Sequence, residues 1–134
     1  PVCAVAAFAS GGCLPDIAAV DVDQAQPLHI SVAGASPHTF AYRFWQQEPG
    51  ETGWTKITEG HTADATPDEC TTGPLAAGTA ISYWIAVSGH PNSAYRVIIT
   101  LSQNGAAVPG GIITHEGTTS ASGGAVVQHQ VALA

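Results

Sequence analysis

The chain has 134 residues, and its three Lys and Arg residues against ten Asp and Glu residues give a formal net charge of −7. This balance excludes nucleic acid and anionic lipid as partners, because both are bound through clustered basic side chains. The length suits one domain with its own hydrophobic core, and no run of about 18 apolar residues predicts a membrane-spanning helix.

The first thirteen residues, PVCAVAAFASGGC, contain no charged side chain. They lack the basic stretch that opens a secretory signal, so we expect this segment to stay in the protein. Two interpretations are open. Residues 1–13 are an apolar arm that pairs with a neighbouring subunit through Val2, Val5 and Phe8, or they are the first strand of their own domain. Residues 14–134 are expected to form the domain itself.

Three cysteines, Cys3, Cys13 and Cys70, show neither a CxxC pair nor the spacing of a zinc site. In an oxidising compartment the odd count predicts one intramolecular bridge and one thiol left over for a bond between subunits. A bridge from Cys13 to Cys70 closes the longest candidate loop and would contribute about 4 kcal/mol. The alternative is three reduced, buried thiols.

Other residues that could hold a metal ion do not form a recognisable motif. Asp16, Asp21 and Asp23 could offer oxygen ligands to calcium, although their charges also suit a polar edge strand. The histidines stand singly along the chain, which is typical of surface and turn positions; they are His29, His38, His61, His90, His115 and His129. We therefore expect no cofactor.

From residue 28 onward, apolar side chains recur with the period of two that is typical of β-strands. PLHISVAG and TFAYRFWQ place their apolar residues on one face, and GWTKITEG follows after the turn residues EPGETG. The polar, turn-rich stretch HTADATPDECTTGPLAAG is interpreted as a loop or a short edge strand. The alternation predicts a core formed by Phe40, Tyr42, Phe44, Ile81, Tyr83, Ile85, Val97, Ile99 and Leu101.

The second half of the chain shows the same pattern in TAISYWIAVSG, AYRVIITLSQ and GGAVVQHQVALA. Asn104-Gly105 between apolar residues predicts a β-hairpin, and HEGTTSASGG is expected to be a flexible loop. With the N-terminal VCAVAAF, these segments predict about eight strands. The sequence therefore indicates an all-β fold, a single-domain antiparallel β-sandwich.

The run from FAYRFWQ through GWTKI to AISYWIAV resembles the middle strands of immunoglobulin-like and fibronectin type III modules. The likeness covers about half of the chain and consists of strand rhythm with a tryptophan between aromatic strands. It implies immunoglobulin-like packing. It transfers no functional residue, because a fold does not name a function.

The outward positions of three strands are less polar than solvent exposure requires. Arg43 and Trp45 lie on one strand, Trp84 on another and Arg96 on a third. Trp and Arg are enriched where partners bind, so we expect these residues to form one contact face, unless another segment of the same chain covers it.

These features favour a non-enzymatic structural protein, extracellular or on the cell surface, that self-assembles into an oligomer or polymer. Its N-terminal strand would pair with a neighbour, and the outward Trp and Arg residues would form a second contact. The alternative is a carbohydrate-binding module whose exposed aromatic residues stack on sugars; they are Trp45, Trp54, Trp84 and either Tyr42 or Tyr83. An enzyme without a recognisable motif is the third possibility.

Overall fold

The computed structural model describes residues 18–34, 38–62 and 67–134, and the regular elements in this part of the chain are all β-strands. They are β1 (Ala18–Val20), β2 (Pro27–Gly34), β3 (Thr39–Gln47), β4 (Thr55–Thr62), β5 (Asp68–Pro74), β6 (Ala80–Ser88), β7 (Ala94–Gln103), β8 (Ala106–Thr118) and β9 (Gly124–Leu133). One sheet has the order β1-β9-β6-β3-β4, and the other has the order β5-β2-β7-β8. The predicted all-β sandwich is confirmed. Within the described residues, no helix is long and apolar enough to cross a membrane.

The core lies between the two sheets, where the inward positions of the strands meet. All nine residues that the alternation placed in the core are buried. The five-stranded sheet adds Val131 and Leu133 from β9, and the four-stranded sheet adds Leu28, Ile30 and Val32 from β2. Because strand side chains alternate between faces, the same period of two leaves the other positions of these strands on the outer surfaces.

The strand count and the pairing differ in detail from the expectation. Nine strands are present in the described residues instead of about eight, because β1 and β5 are short edge strands in polar or turn-rich segments. The pairs are antiparallel except that of β1 with β9, which is parallel. The N-terminal strand that the sequence predicted, and the boundary between residues 13 and 14, lie outside the described residues.

The hairpin between β7 and β8 has the geometry that its sequence predicted. Asn104 and Gly105 both have left-handed backbone angles, with φ of 53° and 79°. A two-residue turn of this kind matches the twist of the flanking strands and favours Asn followed by Gly. The hairpin prediction is therefore confirmed.

The expected flexible loop over residues 115–124 is wrong in its first part, because β8 continues to Thr118. His115 points inward opposite Val97 of β7, so the strand pattern continues through polar residues that the composition had assigned to a loop. Residues 119–123 connect β8 to β9. Thr119 is buried there, and its hydroxyl donates to the carbonyl oxygen of His90 and accepts from the amide of Ser93.

Candidate functional site

The outer surface of the five-stranded sheet brings together Arg43, Trp45 and Trp84, which we call the Trp/Arg face. Arg43 on β3 lies directly opposite Trp84 on β6 in the strand register. The guanidinium carbon of Arg43 lies 5.8 Å from the centre of the Trp84 ring system, which is the geometry of a cation–π contact. The two side chains therefore form one surface unit.

Ion pairs hold the cations of the Trp/Arg face around one carboxylate. Glu59 on β4 lies opposite Arg43, and its Oε2 is 3.4 Å from Nε of Arg43. The Lys56 ammonium donates to Oε1 of the same carboxylate. The hydrogen bond and charge of Lys56, and to a lesser extent Arg43, lower the pKa of the Glu59 carboxyl. Two of the chain's three Lys and Arg residues therefore lie on this face, and both pair with Glu59.

The other two tryptophans lie on β3 and just before β4 of the same sheet. Trp45 is half-buried and lies opposite Lys56 across the β3–β4 pair. Trp54 stands two residues before Lys56, just ahead of β4, and 43% of it is exposed. On the same surface, at the other end of the sheet, Val126 of β9 is 59% exposed. The surface thus combines exposed aromatic and aliphatic area with charged groups, which is typical of binding surfaces.

Arg96 does not belong to this face, which corrects the expectation that three strands share it. Strand β7 lies in the four-stranded sheet, so Arg96 lies on the outer surface of that sheet, on the other side of the sandwich from the Trp/Arg face. There it forms an exposed ion pair with Glu116 of β8, with 2.7 Å between Nη2 and Oε1. The sequence period distinguishes inward from outward positions, but it does not say to which sheet a strand belongs.

Several expected interaction residues lie outside the described residues: Val2, Val5, Phe8, Cys3 and Cys13. Cys70 is described and is half-buried on the edge strand β5. The pairing of the cysteines therefore stays a prediction, as does the role of the N-terminal arm. Asp16 also lies outside, whereas the Asp23 carboxylate accepts a hydrogen bond from the amide of Ala25.

Edge pairing in the five-stranded sheet is incomplete along β9. On one side, β9 pairs with β6 from residue 124 to residue 132. On the other side, β1 pairs with residues 131–133 only. Within the described part of the chain, residues 125–130 therefore have a sheet edge without a strand partner, and such an edge accepts an added strand through its main-chain groups.

Three histidines are not at the surface or turn positions that the sequence predicted. His38 is 2% exposed, and its Nε2 has no hydrogen-bond partner among the described residues. His115 on β8 and His129 on β9 point between the sheets, where both rings contact Tyr83. The signal for the last two lay in GIITHEG and AVVQHQVAL, where each histidine continues a row of alternating apolar residues.

The outer surface of the four-stranded sheet carries a hydroxyl, an imidazole and a carboxylate in a row. Nδ1 of His29 is 2.9 Å from Oγ1 of Thr71, and its Nε2 is 3.2 Å from Oε1 of Glu69. His29 and Thr71 border a shallow depression that Ser102 also lines. Glu69 is 60% exposed, so this row lacks the exclusion of water that strengthens catalytic electrostatics. It is an exposed network between neighbouring strands.

The described residues contain no group of three or more His, Cys, Asp or Glu side chains that could hold a metal ion. Comparisons of the chain with protein-family models, with curated proteins and with solved structures gave no match. The Trp/Arg face and the β9 edge are therefore the two candidate interaction sites of the described residues.

Proposed function

We propose that this chain is a non-enzymatic, extracellular structural protein that assembles with further copies of itself. The observation that supports this proposal most directly is the edge of β9, where residues 125–130 have no strand partner on one side within the described part of the chain. The partner we propose for this edge is the apolar N-terminal segment of a second copy, residues 2–8.

The chemistry of the two segments is complementary. An added strand forms main-chain hydrogen bonds along the edge, and alternate side chains of that strand cover the adjoining part of the core. Ile113 and Val127 are only partly buried on the inward side of β8 and β9. The segment VCAVAAF is uncharged and about as long as the open edge, and as a strand it places Val2 and Phe8 on one face for this purpose and Val5 on the other.

The Trp/Arg face is the second contact in this proposal. It carries two cations in a chain whose net charge is −7, so the remaining surface is strongly acidic. On another copy, Glu69 of β5 offers an exposed carboxylate on the other sheet. A contact between two different surfaces of the same protein does not close on itself as a two-fold dimer does, and it extends into rings or filaments. A polymer is therefore the proposed product.

Sedimentation velocity over a range of concentrations tests the assembly. We expect large species for the intact chain and a folded monomer after deletion of residues 1–12. Val5→Asp combined with Phe8→Asp should act like the deletion, whereas Ser10→Asp, which adds charge outside the apolar segment, should assemble. A chain that is monomeric at every concentration, or a deletion that unfolds the domain, would overturn this function. Non-reducing electrophoresis then reports whether a cysteine bond fastens the copies.

A second function, carbohydrate binding, is favoured by one observation on the Trp/Arg face. In the strand register, Trp84 lies beside Gln128 and Ser82 lies beside Gln130, so an aromatic platform is flanked by amide groups. Sugars present a flat apolar face and a rim of hydroxyl groups, which such a surface can stack on and hydrogen-bond. Tryptophan fluorescence measured with a panel of soluble oligosaccharides tests carbohydrate binding. If Trp84 is the platform, the change in fluorescence on adding sugar should disappear in Trp84→Ala and remain in Trp54→Ala.

The immunoglobulin-like class is also part of our proposal. Two packed sheets with β6, β3 and β9 side by side support it. An immunoglobulin-like arrangement has to include the hairpin of β7 and β8. This hairpin lies between β6 and β9 in sequence but pairs in the other sheet.

A further inference from the structure

Three aromatic rings meet between the sheets where the edge strands β8 and β9 face each other, a line of contact that we call the β8/β9 seam. The rings of His115 and His129 have centroids 5.1 Å apart. Tyr83 of β6 lies 5.6 Å from the first and 5.5 Å from the second. The Tyr83 hydroxyl is 2.6 Å from Nε2 of His115 and donates to it when the imidazole is neutral with its proton on Nδ1.

The environment of the two imidazoles favours their neutral form. Tyr83 is 2% exposed, and Nε2 of His129 is buried without a hydrogen-bond partner among the described residues. Burial lowers the pKa of both histidines, and the neighbouring His129 lowers that of His115 further. Burial also raises the pKa of the Tyr83 hydroxyl, so that this group stays protonated beside them.

The groups around the pair do not supply a compensating negative charge. Tyr83 faces the imidazoles from β6, and Tyr95 is the inward titratable residue of β7 near this end of β8. Glu116, next to His115 in sequence, faces outward and pairs with Arg96. Among the described residues, neither imidazole has a carboxylate within ion-pair distance. A proton on each ring would therefore place two like charges together in a partly buried site.

Main-chain hydrogen bonds close the seam on both sides of the histidine pair. At one end, the amide of Asp21, just after β1, donates to the carbonyl oxygen of Pro109 on β8, while β1 itself pairs with β9. At the other end, the short connection through Thr119 and Ser120 joins the strands. Between these closures, in the described residues, side-chain contacts at His115 and His129 link the two strands.

We propose that His115 and His129 form a proton-sensitive latch, and that acidification loosens the middle of the β8/β9 seam while the core of the sandwich stays folded. Above about pH 6.5, the ordinary value for histidine, both rings are neutral and the latch is closed. As the pH falls below this value, open forms of the seam bind protons more readily than the closed form, so the closed form loses stability.

Hydrogen exchange measured at pH 7.5 and at pH 5.0 tests the latch in the intact chain. Protection factors, which correct for the intrinsic pH dependence of exchange, should fall for the amides within 113–117 and 127–130 that bond to β7 and β6, because the closed form of the seam binds protons less readily than open forms. The buried amides of β3 and β6 should keep their protection. An unchanged seam, or a loss of protection that is equal throughout the sandwich, would overturn the proposal.

Two variants separate the latch from the other histidines. His129→Phe keeps a ring at this position without a titratable group, and it should make the fall in protection smaller, because only His115 can then bind a proton. His61→Phe, an exposed position on β4, should leave the fall in protection unchanged. If His129→Phe does not fold, an NMR titration of the imidazole signals of the unmodified protein decides, because the latch requires both rings to titrate below pH 6.5. Titration at or above that value contradicts it.

Discussion

Phe44 on β3 and Tyr83 on β6 stack in the centre of the sandwich, with ring centroids 4.9 Å apart and planes inclined by 30°. The two residues are direct partners in the strand register, and both are buried. Tyr83 also contacts both rings of the histidine pair. One aromatic stack therefore connects the packing of the core to the β8/β9 seam.

Replacing Phe44 by Ala should lower the free energy of unfolding by about 3–5 kcal/mol, because the change removes buried apolar surface and leaves a cavity. Phe44→Leu refills most of that volume and should cost clearly less. Urea denaturation followed by far-ultraviolet circular dichroism measures both. An alanine variant as stable as the parent protein would contradict the position of Phe44 in the core.

The hydroxyl of Tyr42 on β3 donates to Asp68 on β5, 2.8 Å away, and so links the two sheets. Burial first, and then the hydrogen bond and charge of Asp68, raise the pKa of Tyr42 to about 12. The unfolded chain releases this proton near pH 10, so folding stability should fall between pH 10 and pH 12.

In Tyr42→Phe, the part of this alkaline loss that belongs to Tyr42 should disappear, although the variant is less stable at pH 7 because Asp68 loses its donor. Denaturant titrations at pH 7, 10 and 11 provide the comparison. Equal slopes of stability against pH for the variant and the parent protein would count against the hydrogen bond.

Substitution of Gly105 in the β7–β8 turn should lower the stability of the protein through its backbone conformation alone. Its φ is 79°, and a Cβ placed there would meet no atom within 4 Å. Gly105→Ala should therefore cost about 1 kcal/mol through the left-handed backbone. Gly53→Ala also meets open space but has no left-handed angle, so its effect on thermal unfolding should be small. Equal melting temperatures for the two variants would contradict the turn geometry.

The sequence predicted which residues are buried much better than it predicted which residues meet. Alternation of period two is a local property, so it identified Phe44, Tyr83 and Ile99 as core without knowledge of the pairing. The assignment of strands to sheets depends on contacts between distant segments. For that reason Arg96 was expected beside Arg43, although the two lie on opposite outer surfaces.

The histidine pair was missed for a related reason. His115 and His129 are fourteen positions apart and lie on strands of different sheets, so no spacing rule connects them. The prediction that polar residues lie at the surface was also wrong for Thr119 and His38, which are buried. Composition reports average behaviour, whereas a single buried polar residue depends on its local partners.

The two arginines on opposite surfaces give a matched test of whether the Trp/Arg face mediates assembly. Arg43 contacts Trp84 and Glu59 on the five-stranded sheet, and Arg96 pairs with Glu116 on the other sheet. Neutralising either one changes the net charge equally. If the Trp/Arg face is the second contact, Arg43→Gln should weaken self-association about tenfold, as expected for an arginine near the centre of an interface.

Arg96→Gln should leave self-association within about twofold of the parent protein, because exposed ion pairs far from an interface contribute little. Both variants should unfold at temperatures close to that of the parent protein, so that a loss of assembly is not a loss of folding. Sedimentation velocity at matched ionic strength measures the association, and thermal melts measure the stability. An equal loss of assembly in both variants would indicate a general charge effect, and a loss confined to Arg96→Gln would contradict the role of the Trp/Arg face as the second contact.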